Sequence, residues 1–214
     1  MPAMPTDRRR RHRPPTAVVF DLGNVLVHWD PRHLYRQLLD EETLEQFLGE
    51  VCTREWNHAL DLGRPFVVAV EELCAAHPDQ RALIEAYHQR WMEMVPGPVP
   101  GMDEVVRRLH QSGVPMYLLT NSSAEKFPLV LERFDFLRLL SGAVVSGAVG
   151  VAKPDPGIFE LACARFRLDP GQVLFVDDLA PNVEAARRCG LQALQFSGAD
   201  QLQAHLGRLG MLEG

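Results

Sequence analysis

Four short polar clusters are spaced along the 214-residue chain, each at or just after the end of an apolar run: Asp21, Thr120-Asn121, Lys153-Pro154 and Asp177-Asp178. They supply a lone carboxylate, a hydroxyl–amide pair, an ammonium and a carboxylate pair. Brought together, such groups make a site for a phosphoryl group and a divalent cation. Mg2+ prefers a few carboxylate and carbonyl oxygens completed by water and phosphate, and Asp21 with Asp178 offers the carboxylates. Thr120 and nearby backbone N–H groups would bind phosphoryl oxygens. Lys153 would neutralise charge on the nucleophile and on the transferring group. An aspartate in that setting can attack phosphorus and form an acyl-phosphate.

Each cluster also has a purely structural reading. Thr-Asn after a strand can be an Asx- or ST-turn. Asp177-Asp178 can cap a helix, and Lys153-Pro154-Asp155-Pro156 can be a surface loop with proline at a helix start. Their common setting is what favours chemistry. Ala17-Val18-Val19-Phe20 reads as a buried parallel strand that ends at Asp21 and breaks at Gly23-Asn24. Pro115–Leu119, Ala143–Val145, Val173–Val176 and Leu191–Phe196 read as four more strands. Helical spacing is expected before Gly113, a C-cap residue, over Ala124–Phe134, Pro156–Phe166 and Val183–Cys189 with Gly190 as its cap, and from about Ala199. Strands alternating with helices give an α/β, doubly wound parallel sheet. In such sheets ligands bind at the carboxyl ends of the strands, where the polar clusters lie.

Between strand one and Met102 the text changes. From Arg32 to Pro96 it loses strand-like runs, and Leu34, Leu38, Leu39, then Leu44, Phe47, Leu48 and Val51 recur at spacings of three and four. Residues 32–96 therefore read as a small helical bundle. Pro96-Gly97-Pro98-Val99-Pro100-Gly101 follows as a hinge-like loop. Residues 1–15, with Arg8, Arg9, Arg10, Arg11 and Arg13, read as a disordered Arg-rich tail.

Composition sets the outer limits. With 46% hydrophobic and 23% charged residues the chain can bury a core without staples. A formal charge of -6 argues against nucleic acid as the partner. No apolar run approaches the ~20 residues of a membrane span, and the N-terminus has no apolar core of a signal peptide. Cys52, Cys74, Cys163 and Cys189 show no metal spacing and read as free thiols, which suits a reducing cytoplasm. Lys126 and Lys153 are the only lysines among 22 basic residues. In so arginine-biased a chain, Lys153 beside the other clusters suggests that an ammonium is required there.

The four stretches resemble the four motifs of the haloacid dehalogenase (HAD) superfamily. Phe20-Asp21-Leu22-Gly23-Asn24-Val25 resembles the first, Leu118-Leu119-Thr120-Asn121 the second, and Lys153-Pro154 with Asp155-Pro156-Gly157-Ile158-Phe159 the third. Phe175-Val176-Asp177-Asp178, with Asn182 and Gly190 downstream, resembles the fourth. The resemblance implies a Rossmann-like core over 16–31 and 97–214, with sheet order 3-2-1-4-5. It also implies that 32–96 form the helical cap of the cap-type-1 members. It implies Asp21 as nucleophile, with Thr120, Asn121 and Lys153 on the phosphoryl group. Mg2+ would be held by Asp21, the Gly23 carbonyl and Asp178, and by Asp177 directly or through water.

One position departs from the pattern. Most phosphatases of the superfamily carry an aspartate two residues after the nucleophile, as the acid that protonates the leaving group. Here Gly23 stands there, as in a subgroup that includes bacterial α-glucose-1-phosphate phosphatase. His28 and Asp30 are the nearest titratable side chains. Three functions follow: a Mg2+-dependent phosphatase acting on a small phosphorylated metabolite such as a sugar phosphate, a metal-free 2-haloacid dehalogenase using Asp21, and a non-catalytic binding protein. The Asp177-Asp178 pair would have little to do in a metal-free dehalogenase. Members of that group also usually carry an aromatic residue at the position of Gly23.

Overall fold

The computed structural model describes residues 14–212. The arginine cluster of the N-terminal segment lies outside the described residues. Five strands form one sheet: β1 (Ala17–Phe20), β2 (Met116–Thr120), β3 (Ala143–Val145), β4 (Val173–Asp177) and β5 (Gln192–Gln195). Their order is β3-β2-β1-β4-β5, and every neighbouring pair is parallel. The α/β doubly wound sheet expected from the strand–helix alternation is therefore present. β1 and β4 are buried at every residue, as central strands covered on both faces must be.

Side chains alternate between two apolar layers. Val18, Phe20, Leu118, Leu174 and Val176 join one cluster, whereas Val19, Leu119, Val144 and Phe175 join another beneath Ile158 and Phe159. The helices of the core are α6 (Met102–Gln111), α7 (Phe127–Arg133), α8 (Ser146–Val149), α9 (Pro156–Phe166), α10 (Ala180–Arg188) and α11 (Ala199–Arg208). Two of them begin where proline allows rather than where the apolar period does. Pro128 sits in the first turn of α7, and Pro181 in that of α10. So α7 starts three residues later than its apolar spacing suggests, and α10 three residues earlier.

Between β1 and α6 there are helices and no strands: α1 (Arg32–Tyr35), α2 (Glu41–Glu50), α3 (Arg54–Asp61), α4 (Phe66–Ala76) and α5 (Arg81–Gln89). The chain leaves β1 through a tight turn. Asn24 has φ 56°, a left-handed value, and its N–H donates to Val27 O at 2.7 Å. Val27 then pairs antiparallel with Pro98 on the returning strand of chain, and His28 N donates to Gly97 O at 2.9 Å. The two passages between sheet and helical segment are thus tied to each other, which limits how freely the Pro/Gly loop can hinge.

Three further contacts fasten the helical segment to the sheet side. Lys126 is buried, donates Nζ to His88 O at the end of α5 at 2.8 Å, and lies 4.6 Å from the centre of the Phe66 ring. Its neighbour Glu125 accepts from Phe66 N, the first residue of α4, at 3.0 Å. The third contact is glycine against glycine. Gly63 has φ 98°, and a Cβ there would lie 2.6 Å from Gly147 O. A Cβ on Gly147 would lie 2.6 Å from Ala124 N and 2.8 Å from Ser122 O. Two missing side chains let the turn after α3 rest on α8, and α8 rest on the segment that follows β2.

Gly63→Ala therefore combines an overpacked contact with a disfavoured backbone, and is expected to cost about 2–4 kcal/mol. Gly207→Ala, in open space on α11, is expected to stabilise by about 0.5–1 kcal/mol. Urea unfolding midpoints of the two variants check both signs.

Candidate active site

The strand register brings the acids together. Phe20 is level with Leu118 on one side and Val176 on the other, so Asp21 and Asp177 emerge side by side at the ends of adjacent strands. Lys153, on the loop between α8 and α9, reaches both. Its Nζ is 2.8 Å from Asp21 Oδ1 and 2.7 Å from Asp177 Oδ2, and it lies 5.5 Å from the centre of the Phe175 ring. The lysine side chain is 1% exposed, so this ammonium has exchanged water for two carboxylates. Burial alone would push its pKa down; Asp21 and Asp177 outweigh that and hold it above the ordinary lysine value.

The remaining lone pairs are accounted for differently on each acid. Asp177 is fully buried, and Leu179 N donates to its Oδ1 at 2.9 Å. Asn182 Nδ2 lies 3.0 and 3.1 Å from its two oxygens. Asp21 accepts from Leu22 N at 2.7 Å, again on Oδ1. Among the described residues its Oδ2 accepts nothing, and Asp21 lines a cavity of about 650 Å³. Burial raises the Asp21 pKa to about 6, the Lys153 charge opposing the rise and the Asp177 carboxylate adding to it. Asp178 lines the same cavity, and burial followed by the Asp177 charge raises its pKa as well.

Thr120 and Gly23 also line the cavity, Thr120 as the last residue of β2 and 1% exposed. Asn121 lies beside it, but its side chain is turned to another task. Its Nδ2 donates to Lys153 O at 2.9 Å, and its Oδ1 accepts from Lys153 N at 2.8 Å. Both polar atoms of this side chain thus clasp the lysine's main chain. Of the two titratable groups near Gly23, His28 does not line the cavity. Asp30 does, with its carboxylate held by Arg32 N at 2.9 Å and by the Arg32 guanidinium at 3.4 Å.

Asp21, Asp177 and Asp178 can each offer a carboxylate oxygen, and these lie within 4.8 Å of one another. Among the described residues the three acids face a single ammonium, which leaves two negative charges unanswered there. Buried charge of that kind calls for a counter-charge, and an all-oxygen donor set suits a hard cation. The residues present therefore fit a divalent metal. The helical segment contributes a group that spacing gave no reason to select. Asn57, Asp61 and Tyr87 line the cavity opposite the strand ends. Its apolar wall includes Trp29, Leu48, Phe66 and Trp91.

The haloacid dehalogenase-like hydrolase family model matches residues 15–190, and the chain belongs to that family. It is a hydrolase. The sesquiterpene phosphatase astK of Aspergillus oryzae is 25% identical over 197 residues, covering 85% of this chain and 89% of that protein. Acyl-CoA dehydrogenase family member 10 of Mus musculus is 32% identical over 124 residues, 54% of this chain, and the chain spans only 11% of that protein's length. A family enzyme from Bacteroides thetaiotaomicron, solved as a magnesium complex, shares the fold at a TM-score of 0.68 with 18% identity, over 92% of this chain and 100% of that one. Among the described residues no helix is long and apolar enough to cross a membrane.

Replacing Lys153 by Met removes the ammonium and leaves two adjacent buried carboxylates. The variant is expected to lose about 3–5 kcal/mol near pH 8. Asp21 already binds its proton more tightly folded than unfolded, so stability falls as pH rises through the window between those pKa values. Without Lys153 the folded value moves higher and the window widens upward. The deficit against the parent protein should therefore be smaller at pH 5 than at pH 8, as read from urea unfolding at both.

Proposed function

We propose that this hydrolase is a Mg2+-dependent phosphatase that cleaves a small phosphorylated metabolite, such as a sugar phosphate, through an aspartyl-phosphate on Asp21. The observation that carries the reading is the charge balance at the strand ends, where Lys153 answers only part of the negative charge of Asp21, Asp177 and Asp178. A metal-free dehalogenase would leave the excess without purpose. The Aspergillus oryzae phosphatase, similar over most of both chains, supports the same class.

Asp21, Asp178 and the Gly23 carbonyl would hold the metal, with Asp177 reaching it directly or through water. When bound, Mg2+ would neutralise charge on the phosphoryl oxygens. Asp177 is already committed to Lys153, Asn182 and Leu179 N, which suits the less direct role. Asp21 attacks phosphorus through Oδ2, the oxygen left open by Lys153 and Leu22 N. The ester P–O bond breaks, and water later cleaves the acyl-phosphate and frees Asp21. Thr120 binds a phosphoryl oxygen, and Lys153 steadies both the nucleophile and the charge it meets. Asn121 acts by fixing where Lys153 stands. Residues 32–96 serve as the cap, and their cavity-facing side chains select the substrate.

A panel of phosphorylated metabolites and 2-haloacids, each assayed with Mg2+ and with chelator, tests this reading. Phosphate release that stops in chelator and returns with Mg2+ is expected, and Asp21→Asn should lower it by at least about a thousandfold while leaving the fold intact. Halide release undiminished by chelator, with no phosphate released, would move the assignment to the dehalogenase.

A further inference from the structure

We propose that Asp61, at the end of α3, carries the proton that Gly23 cannot. It would protonate the leaving oxygen as Asp21 attacks, then accept a proton from the water that frees Asp21. This inference rests on the phosphatase reading above.

Asp61 lines the cavity with Asp21, Thr120 and Lys153, facing them from the helical segment. Its backbone is anchored to the sheet side on two counts: its carbonyl accepts from Ser146 Oγ of α8, and Gly63, two residues on, rests against Gly147. Its carboxyl is held as well. Asn57, one turn earlier, donates Nδ2 to Asp61 Oδ2 at 2.9 Å, and the buried Tyr87 donates its hydroxyl to Asn57 Oδ1, also at 2.9 Å. Among the described residues Asp61 makes no hydrogen bond to Asp21, Asp177 or Asp178. A carboxyl positioned by Asn57 and the Ser123 amide, and lining the cavity, is placed to exchange a proton with something that enters it.

The surroundings favour the protonated form. Burial, more than any other effect, raises the Asp61 pKa to about 7. The hydrogen bond from Asn57 opposes the rise, the Asp21 charge adds to it, and the Ser123 amide opposes it. A carboxylate at a helix C-terminus is also the wrong charge for the helix dipole. The other groups facing Asp61 are few. From α5 comes Tyr87, whose own pKa burial raises well above the ordinary tyrosine value. From α8 comes uncharged Ser146. The acids of α4, Glu71 and Glu72, are exposed and paired with Arg81 and Arg64. Other acids of residues 30–96 on the cavity wall are placed differently: Asp30 and Glu45 are both paired with Arg32, the Arg32 hydrogen bond lowers the Glu45 pKa, and Glu55 is exposed to solvent.

The protons balance over the cycle. In the first half, the Asp21 Oδ2–phosphorus bond forms, the ester P–O bond breaks, and the Asp61 proton passes to the departing oxygen, giving a neutral alcohol. In the second half, water attacks phosphorus, its proton returns to Asp61, and the Asp21–phosphorus bond breaks to give phosphate and free carboxylate.

The test is single-turnover cleavage of an alkyl phosphate and of p-nitrophenyl phosphate, whose leaving group needs little protonation, by the parent protein and by Asp61→Asn. The variant is expected to lose about 100-fold or more on the alkyl ester and less than about tenfold on the aryl ester. The parent's alkyl-ester rate, relative to its aryl-ester rate, should fall as pH rises through about 7, and the variant should lose that limb. Adding Gly23→Asp should restore alkyl-ester cleavage, because a Cβ at Gly23 meets only Trp29 Cβ, at an ordinary 3.8 Å. Equal losses on both esters, or none on either, would overturn the assignment while leaving the phosphatase reading intact. A parent protein that cleaves neither ester, nor any phosphate in the panel, would overturn the reading itself. Should Asp61→Asn fail to fold, Asp61→Ser is read in the same way.

Discussion

Everything in the active site depends on one buried ammonium. A lysine side chain taken out of water loses several kcal/mol of hydration, and only close carboxylates can restore it. Asp21 and Asp177 do so because β1 and β4 are adjacent, parallel and in a register that ends them level. Burying either acid without Lys153 is costly, and so is burying Lys153 without both. Asn121 fixes the lysine's main chain, while Asn182 and Leu179 N hold the far side of Asp177. The strand ends are thereby locked as a unit, with one oxygen of Asp21 left facing open space.

That unit is negative even after the lysine is counted, and Asp178 beside it adds a further negative charge. Excess buried charge is costly, and proteins retain it where a cation or a reaction uses it. Membership of the hydrolase family agrees with the second use but does not choose the substrate, since fold and function are separable. The walls of the cavity come from both sides, the strand ends with their loops and residues 32–96.

The helical segment is not loosely hung over the sheet. It is joined by paired chain passages at Val27 and Pro98, by Lys126 and Glu125 reaching α5 and α4, and by the bare backbones of Gly63 and Gly147 in contact. Packed interfaces of this kind have few intermediate positions. The end of α3, with Asp61 on the cavity wall, is accordingly fixed against the sheet side. The absence of an acid at position 23 therefore need not leave the site without a proton donor.

Much of this architecture was legible from local pattern. β3 and α9 begin and end where periodicity placed them, and Gly113 and Gly190 take the left-handed φ values, 70° and 90°, that a helix end asks of glycine. The strand-end acids were legible because a buried parallel strand excludes charge from its body, so its first polar residue marks its end. Helix starts at Pro128 and Pro181 were less so, since the apolar period continues past the residue that sets the cap. What the chain's order could not carry is which distant groups meet. Asn121 reads alone as a ligand for phosphate, and only its distance to Lys153 shows it holding a loop. Spacing gives Lys126 no partner, and only the fold sets the Phe66 ring and the His88 carbonyl beside it. Asp61 is one acid among many on amphipathic helices, and nothing in its spacing marks it. Its character comes from burial and from a neighbour 40 residues away in sequence, Asp21. The sequence by itself determined the strands, their order of chemistry and the family; the tertiary structure alone decided which charges share a cavity, because electrostatic coupling depends on distance and burial, and neither is encoded in local pattern.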